Sequence, residues 1–242
     1  MIEILAVEGL PEIREGDDLG ALIADAAPLE AGDVVVVAQK VVSKAEGRVV
    51  SLDTVEPSER ARRLAGPGTN LQQLEVILSE TARVVRSRGG LVIGETRHGF
   101  VCASAGVDHS NAAGPGEVIL LPLDPDESAR RIRAAVRDRA GVDVAVIITD
   151  SFGRPFRQGT TDVAIGVAGI APLRDLRGTP DRVGVRLRTT QVAVADELAA
   201  AANLVRTTKA DGLPVVIVRG ACPEGDGAAT ELVIPAERDL FR

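Results

Sequence analysis

Aromatic side chains are nearly missing from this 242-residue chain, which has four phenylalanines, no tryptophan and no tyrosine. A surface that stacks nucleobases needs such rings, so their scarcity argues against single-stranded nucleic acid as a partner. The core must be built from Val, Leu, Ile and Ala. Positive charge is also in deficit. A net charge of −7 leaves no excess of Lys and Arg for a general nucleic-acid or anionic-membrane surface, although metals and a few basic loops can still gather anions locally. The two cysteines, Cys102 and Cys222, lie far apart without metal-type spacing, which suits a reducing compartment and argues against a structural disulfide. Met1-Ile2-Glu3-Ile4 lacks the basic start and apolar core of a secretory signal, and no apolar run approaches the ~20 residues of a membrane helix. The expectation is a soluble, cytoplasmic protein. Neither G-x-x-x-x-G-K-[ST] nor a G-x-G-x-x-G after a strand occurs, so any nucleotide must be held by another design.

What is present is a chain with 45% hydrophobic residues, enough for a substantial core, and no internal repeat or long linker. Short β-branched runs predict strands at 2–7, 33–38, 48–51, 91–93, 100–104, 118–121, 143–149, 162–170, 184–191 and 214–218. Helical spacing predicts helices at 19–26, 57–64, 71–86, 126–139 and 193–205, the fourth with Asp124 as cap and Pro125 in its first turn. The fold class expected is α+β, without the regular alternation of a doubly wound sheet.

The most informative segment is Val144-Ala145-Val146-Ile147-Ile148-Thr149-Asp150, broken at once by Ser151-Phe152-Gly153-Arg154-Pro155-Phe156-Arg157-Gln158-Gly159. A buried strand delivers a carboxylate and a hydroxyl into a Gly/Pro loop with two arginines. Oxygen ligands suit Mg²⁺ or Mn²⁺, and guanidinium forks match phosphate oxygens. A second segment runs from a strand through His98 and Cys102 to Asp108, His109, Ser110 and Asn111. Two carboxylates on separate strand ends, Asp108 and Asp150, can converge on one cation; Asp at such positions also caps turns. The two histidines lack a third partner, and a hydrogen-bonded structural role suits them better than zinc ligation. Lys40 and Lys44, which follow a buried strand, are candidate phosphate contacts or solvated surface charges.

Six ordered blocks together are more specific. Val7-Glu8-Gly9-Leu10-Pro11, Ser43-Lys44-Ala45-Glu46-Gly47-Arg48, Pro57-Ser58-Glu59-Arg60-Ala61, Glu95 through Cys102, Ala105-Gly106-Val107-Asp108 with Ser110-Asn111, and Ile148 through Arg154 resemble the coenzyme F420-0:γ-glutamyl ligase family. The resemblance continues through Val215-Val216-Ile217-Val218-Arg219-Gly220 and covers nearly the whole chain.

It implies a GTP-dependent ligase that adds L-glutamate to the phospholactate end of F420-0, then further glutamates through γ-linked amides. An acyl phosphate would form, with release of GDP and phosphate. It also implies two divalent cations, Mg²⁺ or Mn²⁺, help from a monovalent cation such as K⁺, and an intertwined homodimer with a two-lobed fold. No partner nucleic acid or membrane is implied. The chain stops at Arg242, so the nitroreductase-like domain that some family members carry is not expected. Residue by residue, Asp108 and Asp150 match the first-metal ligands, and Ser151 the position that contacts the second metal. Leu10, Pro11, Glu12, Ile13, Gln39, Lys40, Lys44 and Asn111 fall at nucleotide contacts. The late nucleotide loop maps to Arg206, Thr207, Thr208, Lys209, Ala210, Asp211, Gly212 and Leu213. The family's second-metal glutamate aligns with Thr208, which is neutral, so Asp211, phosphate oxygens or water must replace it. Arg154 and Arg157 are the leading candidates to steady substrate anions, and the base for the amine is open between His109 and a carboxylate. Two alternatives stand beside this reading: the same scaffold acting on another phospholactate-type acceptor or amino acid, and a non-catalytic nucleotide-binding module.

Overall fold

The computed structural model describes residues 1–112, 114–206, 212–221 and 224–240. Five of the sequence-predicted site residues, Thr207, Thr208, Lys209, Ala210 and Asp211, lie outside the described residues, as does Cys222.

The architecture is α+β, organised by one five-stranded mixed sheet. Its strands are β1 (Glu3–Ala6), β2 (Val34–Ala38), β8 (Ala145–Gly153), β9 (Thr160–Ala168) and β12 (Val215–Arg219), in the order β1-β12-β2-β8-β9. Each neighbouring pair is antiparallel except β2 and β8, which run parallel from Val34 opposite Ala145 to Ala38 opposite Thr149. The uninterrupted apolar runs of these strands follow from burial on both faces: Val34 to Val37 and Val146 to Ile148 expose none of their surface.

Helices α1 (Leu19–Ala26) and α5 (Pro125–Ala140) lie against each other so closely that a Cβ on Gly20 would stand 2.5 Å from the Ala135 Cβ. As the sequence predicts, Asp124 caps α5, accepting from the Glu127 N–H at 2.9 Å. Helix α6 (Val194–Asn203) packs on β9 and β12. The outer edge of β9 is covered by helix carboxylates. Asp126 accepts from the Val167 N–H at 2.7 Å and Asp196 from the Ala164 N–H at 2.9 Å, which satisfies edge donors that are otherwise open to pairing.

A second apolar cluster centres on Leu74, Ile77, Leu78, Val92, Val107, Val118 and Leu120. It lies under helices α3 (Glu59–Leu64) and α4 (Leu71–Ser79), the antiparallel pair β3 (Val49–Ser51) and β7 (Glu117–Ile119), and the antiparallel sheet β4 (Thr81–Arg88), β5 (Leu91–Thr96) and β6 (Val101–Ala103).

The structure corrects four sequence expectations. The helix expected over 71–86 ends at Ser79, because Thr81 donates its hydroxyl to the Ile77 carbonyl at 2.6 Å and the β-branched pair Val84-Val85 enters β4, closed by the Gly89-Gly90 turn with φ of 56° and 88°. The strand expected over 184–191 survives only as β11 (Gln191–Val192), paired with β10 (Arg174–Asp175). Between them the Asp181 carboxylate takes the N–H groups of Val183 and Val185 and curls the chain into a turn. An additional helix, α2 (Gln39–Ala45), follows β2 directly. Finally, β8 does not break at Ser151 but continues to Gly153.

Candidate active site

Because β2 and β8 are parallel neighbours, their carboxyl ends open on the same side of the sheet, where α/β sheets place ligands. The first residues of α2, Gln39 and Lys40, therefore stand beside Thr149, Asp150 and Ser151. A register shift between Ile148 and Thr149 re-aims β8 just before Asp150. Asp108 arrives from the other cluster, after a 3-10 turn at Ser104–Gly106 whose Ser104 and Ala105 have φ of 54° and 50°, and is held by a bridge to Ile119.

These elements enclose a cleft of 760 Å³. Leu10, Pro11, Glu12 and Ile13 form one wall. Gln39, Lys40, Lys44 and Asn111 line it, as do Asp150 and Ser151, and Arg206, Gly212 and Leu213 complete the set. Residues distant in sequence and singled out there are thus brought together. Arg154 and Arg157 are not part of this lining: they sit in the exposed loop between β8 and β9, with Arg154 donating to the Gln158 carbonyl at 2.9 Å. His109 is exposed, whereas His98 has the hydrogen-bonded role expected, its Nε2 lying 3.0 Å from the Leu123 carbonyl.

The electrostatics of the cleft are dominated by carboxylates. Lys40 donates from Nζ to Asp108 Oδ2 at 2.6 Å and to Ser110 Oγ at 2.8 Å, and the Ser110 N–H donates to Asp108 Oδ1 at 2.7 Å. Burial pushes the Asp108 carboxyl up, but the bonds from Lys40 and Ser110 outweigh it and hold the group at about 2. Asp150 behaves oppositely. Burial pushes it up to about 7; the Ser151 N–H and the Lys40 charge pull it down, while the Asp108 and Asp162 charges add to the rise. The Cys102 thiol is pushed up to about 12 by burial and by Asp150, which makes it a poor nucleophile.

Asp162 is a site residue that sequence reasoning missed. It was legible only as the start of a strand, yet it lines the cleft with 4% of its surface exposed. It accepts from Ser151 Oγ at 2.6 Å and from Arg206 Nη1 at 2.9 Å. Two side chains in the cleft carry buried donors without a partner among the described residues: Gln39 Nε2 and Arg206 Nε.

The donor set fits a hard divalent cation. Among the described residues no group of three or more His, Cys, Asp or Glu is gathered to hold a metal by itself. Mg²⁺, however, ordinarily takes one or two carboxylates and completes its shell with water and phosphate oxygens. Asp108, Asp150 and the Ser151 hydroxyl offer that combination; Asp150 is raised chiefly by burial, with the Asp108 and Asp162 charges adding to it, and a cation would favour its ionised form.

A family model described as F420-0:Gamma-glutamyl ligase matches residues 9–220. The chain is 49% identical to the coenzyme F420:L-glutamate ligase of Methanopyrus kandleri, over 98% of each chain. It is 45% identical to the protein of that name from Methanothermobacter thermautotrophicus, over 100% of this chain and 99% of the relative. The Methanocaldococcus jannaschii protein of the same name is 44% identical, over 100% and 97%.

Proposed function

The chain belongs to the F420-0:γ-glutamyl ligase family, and from that premise we propose that it joins L-glutamate to coenzyme F420-0 and then adds further glutamates through γ-linked amides. The observation that carries this reading to the residues is the convergence of Asp150, Ser151 and Lys40 in the cleft that Leu10 to Ile13 also line, with Asp108 joined to it from outside the lining through its ion pair with Lys40. The reaction requires an inert carboxylate to become an acyl donor. Phosphorylation by GTP supplies this: the terminal phosphate of GTP passes to the acceptor carboxylate, the glutamate amine displaces it, and GDP and phosphate leave.

Asp108 and Asp150 would hold one Mg²⁺ or Mn²⁺, and Ser151 would contact a second. Bound there, such cations would supply positive charge against the phosphoryl group in transfer. Lys40 and Lys44 place positive charge on the nucleotide side of the cleft; in the free protein they are engaged by Asp108 at 2.6 Å and Glu12 at 2.5 Å. Arg154 and Arg157, on the exposed loop that continues β8, steady the phospholactate and carboxylates of the acceptor. Gln39 Nε2, without a partner among the described residues, offers a donor to an acceptor atom of the nucleotide. No side-chain nucleophile is needed, consistent with the high thiol of Cys102. We assign to this reading the family's two-lobed form, its intertwined homodimer, the second divalent site and assistance by K⁺. No helix among the described residues is long and apolar enough to cross a membrane.

Mass spectrometry of the products formed from F420-0 with GTP or ATP and each candidate amino acid tests the proposal. Glutamylated F420 formed with GTP supports it. Transfer of another amino acid, or onto another acceptor alone, replaces it with the alternative of a different substrate.

A further inference from the structure

Ser151 is a neutral hydroxyl, and a hydroxyl can turn either its proton or its lone pairs toward a ligand. In this structure the choice is made by Asp162. Ser151 Oγ donates to Asp162 Oδ1 at 2.6 Å, across the paired positions of β8 and β9. The proton is thus committed to Asp162, and the oxygen's remaining capacity is acceptor only. Asp162 is in turn fixed from behind. Its Oδ2 accepts from Arg206 Nη1 at 2.9 Å and lies 3.3 Å from Thr149 Oγ1, a hydroxyl that also accepts from Arg206 Nη1 at 3.1 Å. Arg206 Nη2 donates to the carbonyls of Val36 and Pro214 at 2.9 and 3.0 Å, so one guanidinium ties together the ends of β2, β8, β9 and the segment entering β12.

This is an expensive arrangement for mere stability. The ion pair is nearly buried, with 10% of the Arg206 and 5% of the Asp162 side chain exposed, and Arg206 Nε has no partner among the described residues. Apolar side chains of similar volume commonly serve a core as well or better. What the pair provides that they cannot is a fixed anion against the Ser151 proton.

We propose that Asp162 is a positioning residue: held by Arg206, it engages the Ser151 proton, leaves that oxygen acceptor-only and so strengthens a neutral hydroxyl as a ligand for a divalent cation. The inference rests on the reading of Ser151 as a cation contact. Carboxylates behind metal ligands elsewhere have effects of roughly 10–100-fold on affinity.

The test is a double-mutant cycle read by calorimetric titration of the metal-free, full-length protein with Mn²⁺ alone. Asp162→Asn and Ser151→Ala are each expected to weaken one Mn²⁺ equivalent by roughly 10–100-fold, and the double variant to be no weaker than Ser151→Ala. Equal weakening by Asp162→Asn with and without Ser151 overturns the positioning role while leaving the cation reading intact. Wild-type affinity in Ser151→Ala removes the cation contact itself, and the proposal with it. Asp162→Asn removes the charge partner that Arg206 has among the described residues; should it fail to fold by circular dichroism, Asp162→Glu keeps a carboxylate there while displacing it from Ser151. The same Ser151-dependent loss is expected of it, and unchanged affinity in Asp162→Glu overturns the proposal.

Discussion

Lys40 Nζ stands 2.6 Å from Asp108 Oδ2, so the chain's own ammonium neutralises one of the carboxylates that converge on the cleft. The neighbouring Asp150 has no ion-pair partner among the described residues, and burial pushes its carboxyl up to about 7. One lysine thus serves three anions, Asp108, Asp150 and, in the proposed complex, the phosphates of the nucleotide. Replacing Lys40 with Met is expected to weaken GTP binding at least tenfold, about 1.4 kcal/mol, with the fold retained. Fluorescence titration with a labelled GTP analogue measures it, and wild-type affinity would remove Lys40 from the nucleotide site.

Stability of the metal-free protein follows from Asp150. Its folded-state value of about 7 lies above the unfolded value near 3.8, so the folded chain holds the extra proton through that window. The stabilisation is complete below the unfolded value and is lost as pH rises through the folded one. Asp150→Asn, which cannot ionise, escapes that loss. With chelator present, its melting temperature relative to wild type should rise between about pH 4 and about pH 7 and level off above, by roughly 2–4 °C per kcal/mol. A difference that is constant with pH contradicts the assignment.

The loop arginines make a separable prediction. Arg154 is exposed, and its guanidinium donates to the Gln158 carbonyl of its own loop, so Arg154→Ala should leave stability unchanged while raising KM for F420-0. Steady-state kinetics with each substrate varied decides it; unchanged KM for both F420-0 and GTP counts against the anion-steadying role.

At the opposite end of β2, Asp33 takes two bonds from Arg219, from Nε at 2.9 Å and from Nη2 at 2.8 Å. Asp33 exposes 1% of its side chain and Arg219 23%. Because Arg219 remains partly hydrated, Asp33→Ala should cost about 2–3 kcal/mol, less than the ~3–5 kcal/mol of a fully buried pair. Urea unfolding measures the loss, and nucleotide affinity should not change.

Much of the sheet was legible because strands buried on both faces must be apolar throughout: Val34–Ala38 and the run before Asp150 announce themselves. Helix α2 was not, because Ala38 offers no capping side chain and Val41-Val42 prolong the β-like run. Helix α4 was read too long because Val84 and Val85 fall at helical spacing after Ile77 and Leu78. The Gly89-Gly90 turn and the β-branched residues before it held the contrary signal. The carboxylates Asp108 and Asp150 stood out as strand-end acids. Asp162 did not, since a single Asp at a strand start carries no pattern, and its meaning comes only from the cross-strand register that sets it beside Ser151.

The central claim is that Asp150 belongs to a site where GTP drives glutamylation of F420-0. Wild-type protein and Asp150→Ala, each shown folded by circular dichroism, should be incubated with F420-0, L-glutamate, GTP and Mg²⁺ or Mn²⁺, with GDP and glutamylated F420 quantified together. Equal amounts of GDP and new amide bonds from the wild type, and neither from Asp150→Ala, are predicted. Full activity in the variant, or glutamylation by the wild type without GDP release, would contradict the account.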